Sequence, residues 1–170
     1  SDRADIKWDF YNDDGSSAEM CGNGGRCVAR YAVEKNIAPA ELTLETLAGI
    51  IGAKVDGPNV KVKLTAPENL RQDIDVELNG TRFQVDSLNT GVPHAIIYSK
   101  NVDENNVKEV GNGVRFHEEF APAGTNVNFV EKVSDNALKV RTYERGVEDE
   151  TLACGTGVVA SVLLSSYKKM

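Results

Sequence analysis

The chain has 170 residues, of which 41% are hydrophobic and 26% are charged; this suits a folded globular domain and excludes disordered, collagenous and membrane-spanning chains. Nineteen basic and 26 acidic residues give a formal net charge of -7, which argues against nucleic acid or an anionic membrane as partner. No apolar run reaches the roughly 20 residues of a membrane span, and the first residues lack a signal-peptide core. We therefore expect a cytoplasmic protein with a small-molecule partner.

The cysteine count and the first residues bear on compartment and completeness. Three cysteines are an odd and sparse set, which indicates reduced thiols rather than a disulfide framework. The chain begins without Met, and its apolar stretch at 6–10 has the pattern of a strand already under way. We expect a fragment of a longer protein.

Alternating and β-branched residues predict short strands joined by turns. In chain order the predicted strands are 6–11, 42–46, 50–55, 60–64, 74–78, 81–85, 95–98, 127–133 and 138–143. The Asn79-Gly80 turn between two alternating runs predicts a hairpin, so the sheets should be mainly antiparallel. Helices are predicted at 25–35 and 157–168, with a third candidate at 105–110.

The same four-residue pattern precedes both main helices. Cys21-Gly22-Asn23-Gly24 leads into the first helix, and Cys154-Gly155-Thr156-Gly157 leads into the second. The strand pattern is lost at 65–69, which predicts a boundary between two halves, residues 1–66 and 67–170, with a cleft between them.

A cysteine at the entry of a helix lies beside unpaired backbone N–H groups and the positive end of the helix dipole. Both features lower the pKa of a thiol, and the glycines let the same N–H groups approach a carboxylate. A single copy equally fits a buried apolar cysteine at a turn. Two copies could bring one thiol to each face of a ligand, as stereochemical inversion by an acid and a base requires, without cofactor or metal.

The sequence resembles the diaminopimelate epimerase family of cofactor-independent amino-acid racemases and epimerases. The resemblance spans nearly the whole chain. It rests on Tyr11-Asn12-Asp13-Asp14-Gly15-Ser16, on Glu19-Met20-Cys21-Gly22-Asn23-Gly24-Gly25-Arg26-Cys27, on Gly91-Val92-Pro93-His94, on Thr125-Asn126-Val127-Asn128-Phe129, and on Thr142-Tyr143-Glu144-Arg145-Gly146-Val147-Glu148-Asp149-Glu150-Thr151-Leu152-Ala153-Cys154-Gly155-Thr156-Gly157.

The resemblance implies an α+β fold of two pseudo-symmetric halves, each a curled, mainly antiparallel sheet around a central helix. It implies conversion of LL- to meso-diaminopimelate in lysine and cell-wall precursor biosynthesis. The two catalytic bases would be Cys21 and Cys154, one a thiolate and the other a thiol. The backbone that would bind the reacting carboxylate is at Gly22, Asn23, Gly155 and Thr156.

The remaining site residues also follow from the resemblance. Asn12, Asn126 and Arg145 match positions that read the distal end of the substrate, where a guanidinium suits a carboxylate. His94 and Glu144 match polar residues that support the cysteines, and Glu144 also contacts substrate. Taken alone, a histidine such as His94 is more often a hydrogen-bonded structural residue than a functional one. Glu144-Arg145 could be an exposed surface pair, although the approach to Cys154 favours a site.

Some positions depart from the family pattern. Its N-terminal Gly-Asn-Asp-Phe motif and the strands after its second helix have no counterpart here, so we expect a fold that is incomplete at both ends. Val92 stands where many members have Asn, and Asn89 is a candidate replacement. We expect Cys27 to pack inside the first helix and assign it no chemistry.

Other functions stay open at this point. A proline or hydroxyproline racemase is the nearest alternative, although those relatives usually have His at the position of Asn23. An inactive fragment that only binds substrate is a non-enzyme alternative. A redox or metal module built on the cysteines would lack a Cys-x-x-Cys pair and have only His94 and His117 as nitrogen ligands. The oligomeric state is not predicted, and a homodimer is left open.

Overall fold

The computed structural model describes residues 1–12 and 15–170, so Asp13 and Asp14 of the first family motif lie outside the described residues. The chain divides into two compact units, Ser1–Ala66 and Pro67–Met170. Both units combine strands with helices, which confirms the predicted α+β class. Within the described residues, no helix has the length and apolar character needed to cross a bilayer.

The first unit is built on a small sheet. Its described elements are β1 (Ile6–Lys7), β2 (Phe10–Tyr11), β3 (Ser17–Ala18), α1 (Gly22–Glu34), β4 (Glu41–Thr46), β5 (Gly49–Asp56) and β6 (Asn59–Lys63). Strands β4, β5 and β6 form an antiparallel meander, and β1 pairs in parallel with β4. β2 and β3 pair separately, so the predicted strand 6–11 consists of two short pieces.

Helix α1 packs against β4, β5 and β6 through a narrow stripe of small residues. Its buried positions are Gly25, Ala29 and Ala32, whose i, i+4, i+7 spacing places them on one helical face. Cys27 lies about 200° around the helix from Gly25 and is exposed. The expectation that Cys27 packs is therefore wrong.

The second unit is a six-stranded sheet with a helix on each face. Its elements are β7 (Glu68–Leu78), β8 (Thr81–Asn89), β9 (Pro93–Tyr98), α2 (Val107–Arg115), β10 (Asn126–Ser134), β11 (Ala137–Glu144), β12 (Asp149–Thr151) and α3 (Gly155–Tyr167). The strand order is β12-β11-β10-β9-β8-β7. Only β9 and β10 pair in parallel, and the segment carrying α2 supplies the crossover that a parallel pair requires.

The apolar side chains that alternate along the strands form two hydrophobic cores in this unit, one on each face of the sheet. Ile97, Phe129 and Tyr143 belong to the core that includes residues of α2. Ile96 and Val130, each adjacent in sequence to a member of the first core, belong to the core that includes α3. Because successive side chains of a strand point to opposite faces, the sheet is covered on both sides.

The C-terminal end of α3 is tied to the sheet by two ion pairs of Lys168, the residue that follows the helix. The Lys168 ammonium lies 3.3 Å from the buried carboxylate of Asp86 on β8 and 2.9 Å from the exposed carboxylate of Asp73 on β7. Asp86 also accepts a hydrogen bond from the Asp73 backbone N–H. These contacts place the end of the helix over β7 and β8.

Several predicted boundaries are corrected. Residues 68 and 69 lie in β7 rather than in the predicted break, and β3 and β12 were not predicted because they span only two and three residues. Helices α1 and α3 begin at Gly22 and Gly155, directly after the cysteines. The glycines hide these first turns in the sequence because glycine is a poor helix former.

Helix α2 approaches β11 so closely that a side chain at Gly111 would overlap with Tyr143. A Cβ at Gly111 would lie 2.6 Å from the Tyr143 Cβ, whereas a Cβ at Gly113 would lie 2.8 Å from a terminal methyl group of Leu78. We predict that Gly111→Ala lowers the free energy of unfolding by about 1–3 kcal/mol, because the Tyr143 Cβ cannot move without its backbone.

The matched control is Gly113→Ala on the same helix. The Leu78 methyl group can rotate away, and alanine gains about 1 kcal/mol in helix propensity. Gly113→Ala should therefore stay within about 1 kcal/mol of the unmodified chain in urea denaturation. Equal losses in the two variants would contradict the proposed contact.

Candidate functional site

In the first unit, Cys21 is the N-cap residue of α1. Its backbone is extended, with φ -133° and ψ 120°, and its sulfur accepts a hydrogen bond from the Gly24 N–H at 3.3 Å. Gly22 and Asn23 follow as the first two helical residues. A Cβ at Gly22 would meet nothing within 4 Å, so this part of the helix entry is open. The first N–H groups of a helix lack intrahelical acceptors and favour an anion.

The second glycine of this motif is constrained by packing. A Cβ at Gly24 would lie 3.0 Å from Cζ2 of Trp8, a closer approach than side chains normally make. The indole ring therefore lies against the first turn of α1. Trp8 follows β1, and its backbone N–H donates to the Glu45 carbonyl at 2.9 Å, which ties the Trp8 backbone to β4.

The other two candidates in this unit, Asn12 and Asn23, have side-chain partners of their own. The Asn12 amide donates to the Ser16 hydroxyl at 3.0 Å, and its backbone N–H donates to the Ser16 carbonyl. The Asn23 amide oxygen accepts a hydrogen bond from Arg26. Asn12 is thus held beside Ser16, and Asn23 lies in the first turn of α1.

In the second unit, Cys154 is the N-cap residue of α3 and is followed in the helix by Gly155 and Thr156. Burial raises the pKa of the Cys154 thiol to about 11; the Thr156 hydroxyl acts in the opposite direction, and the Glu144 carboxylate adds to the increase. The expectation of a lowered thiol pKa at a helix entry is therefore wrong for Cys154. Loss of hydration destabilises the thiolate more than the helix end stabilises it.

His94 lies on β9 and connects the sheet to the helix entry. Its Nε2 is 2.9 Å from the Thr156 hydroxyl, which in turn is 3.5 Å from the Cys154 sulfur. Its Nδ1 is 3.1 Å from the amide nitrogen of Asn128. Burial, with a smaller contribution from the Arg145 guanidinium, lowers the pKa of His94 to about 3, so the imidazole is neutral.

Asn126, Glu144 and Arg145 lie at neighbouring strand ends. The Asn126 side chain donates to the Pro93 carbonyl at 2.9 Å and accepts from the Arg145 backbone N–H at 3.0 Å. Glu144, at the end of β11, accepts a hydrogen bond from the Thr151 hydroxyl at 2.6 Å. The Arg145 guanidinium lies 3.4 Å from the Ala123 carbonyl.

The structure therefore brings part of the predicted set together. Hydrogen bonds connect His94, Thr156 and Cys154 in series. A separate hydrogen bond connects Asn126 with Arg145. The site roles themselves stay predictions.

At the β8–β9 turn, the Asn89 side chain accepts from the Gly91 N–H at 2.9 Å, while Val92 is buried.

Three further residues of this region were not assigned from the sequence. Asn128 contacts His94, and the Thr142 hydroxyl donates to the Asn128 carbonyl oxygen at 2.9 Å. A Cβ at Gly157 would lie 2.2 Å from that same oxygen. The available signal was the period of two between Asn126 and Asn128, which places two amides on one face at the buried start of β10.

The buried neutral His94 makes stability depend on pH. The unfolded chain takes up a proton at this residue as pH falls through about 6.5, whereas the folded chain does so only near 3. Stability is therefore complete above 6.5 and decreases as pH falls below it. We predict a loss of about 2 kcal/mol in the free energy of unfolding between pH 7 and pH 5 in urea denaturation.

His94→Gln should remove most of this slope, because glutamine does not titrate. His117→Gln measures how much of the slope belongs to the second histidine. A slope that is unchanged in His94→Gln would contradict a neutral, buried imidazole at this position.

The raised pKa of Cys154 predicts slow alkylation. At pH 8 the thiolate fraction is small, so iodoacetamide should modify Cys154 in the folded chain about a hundredfold more slowly than in the chain unfolded in urea. The rate should continue to rise up to about pH 11, whereas steric shielding alone would leave a plateau near the ordinary thiol pKa. Peptide mass spectrometry follows Cys154 separately from the other cysteines.

The chain is similar to a known protein family and to individual members of that family. The model of the diaminopimelate epimerase family matches residues 1–70 and 87–170. The chain is 51% identical over 166 residues to a diaminopimelate epimerase of Aquifex aeolicus, covering 96% of this chain and 59% of the relative. It is 43% identical over 178 residues to that of Archaeoglobus fulgidus, covering 98% and 62%. The chain thus spans about three fifths of the length of these relatives.

Solved structures share the fold at low identity. A probable proline racemase from Agrobacterium radiobacter matches with a TM-score of 0.76 at 19% identity, covering 98% of this chain and 57% of the other. A hydroxyproline epimerase from Agrobacterium vitis matches with a TM-score of 0.65 at 18% identity, covering 90% and 53%. These likenesses support the predicted fold class, and the family match over most of the sequence identifies the chain as a member of the diaminopimelate epimerase family.

Proposed function

We propose that this protein inverts one stereocentre of LL-diaminopimelate to give the meso isomer, using Cys21 and Cys154 as acid and base without a cofactor. The main support for this proposal is that each cysteine is the N-cap of a 13-residue helix and is followed by Gly-x-Gly. The family match over residues 1–70 and 87–170 supports the substrate class. Turnover of this substrate would serve lysine and cell-wall precursor synthesis.

The proposed step is a pair of proton transfers. A thiolate on one side of the α-carbon removes its proton and becomes a thiol, leaving the electron pair on carbon. The second thiol delivers its proton to the opposite face and becomes a thiolate, so atoms and charge balance without an oxidant or metal. The raised pKa of Cys154 supports it as the proton donor in the resting protein, with Cys21 as the base.

The negative charge that develops during proton removal spreads into the α-carboxylate. The backbone N–H groups at Gly22 and Asn23, and those at Gly155 and Thr156, would hold this carboxylate at the two helix entries. The open space at Gly22 supports approach of a ligand to the first entry.

Recognition of the distal end is assigned to Asn12, Asn126 and Arg145. A guanidinium can bind a carboxylate through two parallel hydrogen bonds, which suits the second amino-acid end of diaminopimelate. The bond from the Arg145 N–H to Asn126 supports a defined position for the arginine backbone. Glu144, whose charge adds to the raised pKa of Cys154, would contact substrate beside the sulfur.

Proline or hydroxyproline racemisation is the competing activity. It shares the acid–base chemistry, and solved structures named for those activities share the fold. The family match, together with Asn23 and the Glu144-Arg145 pair, favours diaminopimelate. Turnover of proline but not of diaminopimelate in a substrate panel would reject the proposed substrate and retain the chemistry.

Isotope entry tests the reaction. In deuterated water the protein should convert LL-diaminopimelate to the meso isomer with deuterium at the inverted α-carbon, because the delivered proton comes from a thiol that exchanges with solvent. Cys21→Ala and Cys154→Ala should each lower the rate of epimerisation by at least about a hundredfold. Chiral chromatography and mass spectrometry measure both quantities.

Cys27→Ala is the matched control, since this cysteine is exposed on α1 and has no assigned chemistry. It should keep the rate of the unmodified protein. Binding of diaminopimelate without any isotope entry would favour the inactive binder, and near-normal turnover in either catalytic cysteine variant would reject the two-thiol mechanism.

A further inference from the structure

Asn128 lies on β10, is fully buried and has hydrogen bonds on both ends of its amide. Its carbonyl oxygen accepts from the Thr142 hydroxyl at 2.9 Å. Its amide nitrogen donates to the Ala95 carbonyl at 3.1 Å and lies 3.1 Å from Nδ1 of His94. The Ala95 carbonyl can only accept, so the nitrogen of the amide must face β9.

This orientation fixes the proton on His94. An amide nitrogen has two protons and no lone pair for hydrogen bonding, so Nδ1 of His94 must be the acceptor. A neutral imidazole has one proton, which must then be on Nε2. Nε2 therefore donates to the Thr156 hydroxyl, 2.9 Å away.

The direction of that bond determines what Thr156 can do. Because its oxygen accepts from His94, its own proton is free to point at the Cys154 sulfur, 3.5 Å away. The result is a directional series of donors from Asn128 through His94 and Thr156 to the sulfur. With the opposite tautomer, Thr156 would donate to His94 and would not be available to the sulfur.

Close packing fixes the relative positions of the side chains in this series. A Cβ at Gly157 would lie 2.2 Å from the Asn128 oxygen and 3.2 Å from Cε1 of His94, so α3 begins in direct contact with both side chains. The Thr90 hydroxyl also donates to the Thr156 carbonyl at 3.0 Å. The helix entry therefore has little freedom to turn the threonine away.

We propose that Asn128 is a positioning residue: by holding His94 as the Nε2–H tautomer, it directs the Thr156 hydroxyl onto the Cys154 sulfur and stabilises the thiolate. The inference rests on the proposed function only for its effect on turnover, since the tautomer and the thiol are measured directly. The charged groups that act on this series are Glu144, which disfavours the thiolate, and Arg145, which disfavours protonation of His94.

Nitrogen NMR of the histidines tests the first step. In the unmodified protein the Nε2 of His94 should be of the protonated type and Nδ1 of the unprotonated type, with His117→Gln used to assign the signals. A protonated Nδ1 in the unmodified protein overturns the proposal, whether or not any variant folds. Asn128→Asp supplies an acceptor to Nδ1 and should reverse the two nitrogens.

Alkylation of Cys154 tests the second step. Asn128→Asp should slow its reaction with iodoacetamide at pH 9 by about tenfold, which corresponds to about one unit in the thiol pKa. Thr142→Val is the matched control: it removes a bond to the same amide while Ala95 keeps the amide orientation. It should leave both the tautomer and the alkylation rate unchanged.

A double-mutant comparison separates the relay from the added charge. If the effect passes through the hydroxyl, Asn128→Asp should cause no further slowing in a Thr156→Val background, whereas a direct effect of the new carboxylate would persist and overturn the proposal. Loss of isotope entry with these thiol results intact would count against the proposed reaction alone. Unchanged alkylation in Asn128→Asp overturns the relay even in an active enzyme.

Discussion

At the second glycine of each Cys-Gly-x-Gly motif, the first turn of the helix lies against side chains of the same unit, with no space for a Cβ to be added without a shift. At Gly157 the neighbours are Asn128 and His94, and at Gly24 the neighbour is Trp8. A side chain at Gly157 would push the helix away from the sheet, and the cysteine three residues earlier would move with it. The position of each sulfur at its helix entry therefore depends on a packing contact on the far side of the first turn.

The helix entry does not by itself make Cys154 acidic. Burial removes water from the sulfur, and lost hydration destabilises a thiolate more than one helix end stabilises it. Hydrogen bonds from polar side chains can offset part of that cost. The Thr156 hydroxyl is such a donor, and His94 and Asn128 determine where its proton points.

The sequence was informative wherever a pattern repeats over many residues. Strand alternation predicted most of the strands, and the doubled motif predicted where both main helices begin to within three residues. Pairings of two or three residues, such as those of β3 and β12, leave no period to detect. The pKa of Cys154 and the partner of Asn128 depend on neighbours distant in sequence, which local patterns do not report. Cys27 was misjudged because its helix buries only one narrow stripe.

The two motifs share a sequence pattern but give their cysteines different partners. The sulfur of Cys21 accepts a backbone N–H from its own helix, a bond that any residue three positions on could supply. The sulfur of Cys154 lies beside the hydroxyl of Thr156, whose direction depends on two further side chains on the sheet. The backbone donor to Cys21 is fixed by its helix, whereas the direction of the Thr156 hydroxyl follows the proton on His94, which Asn128 determines. The chemistry available to the Cys154 thiol therefore depends on side chains of the sheet as well as on its own helix.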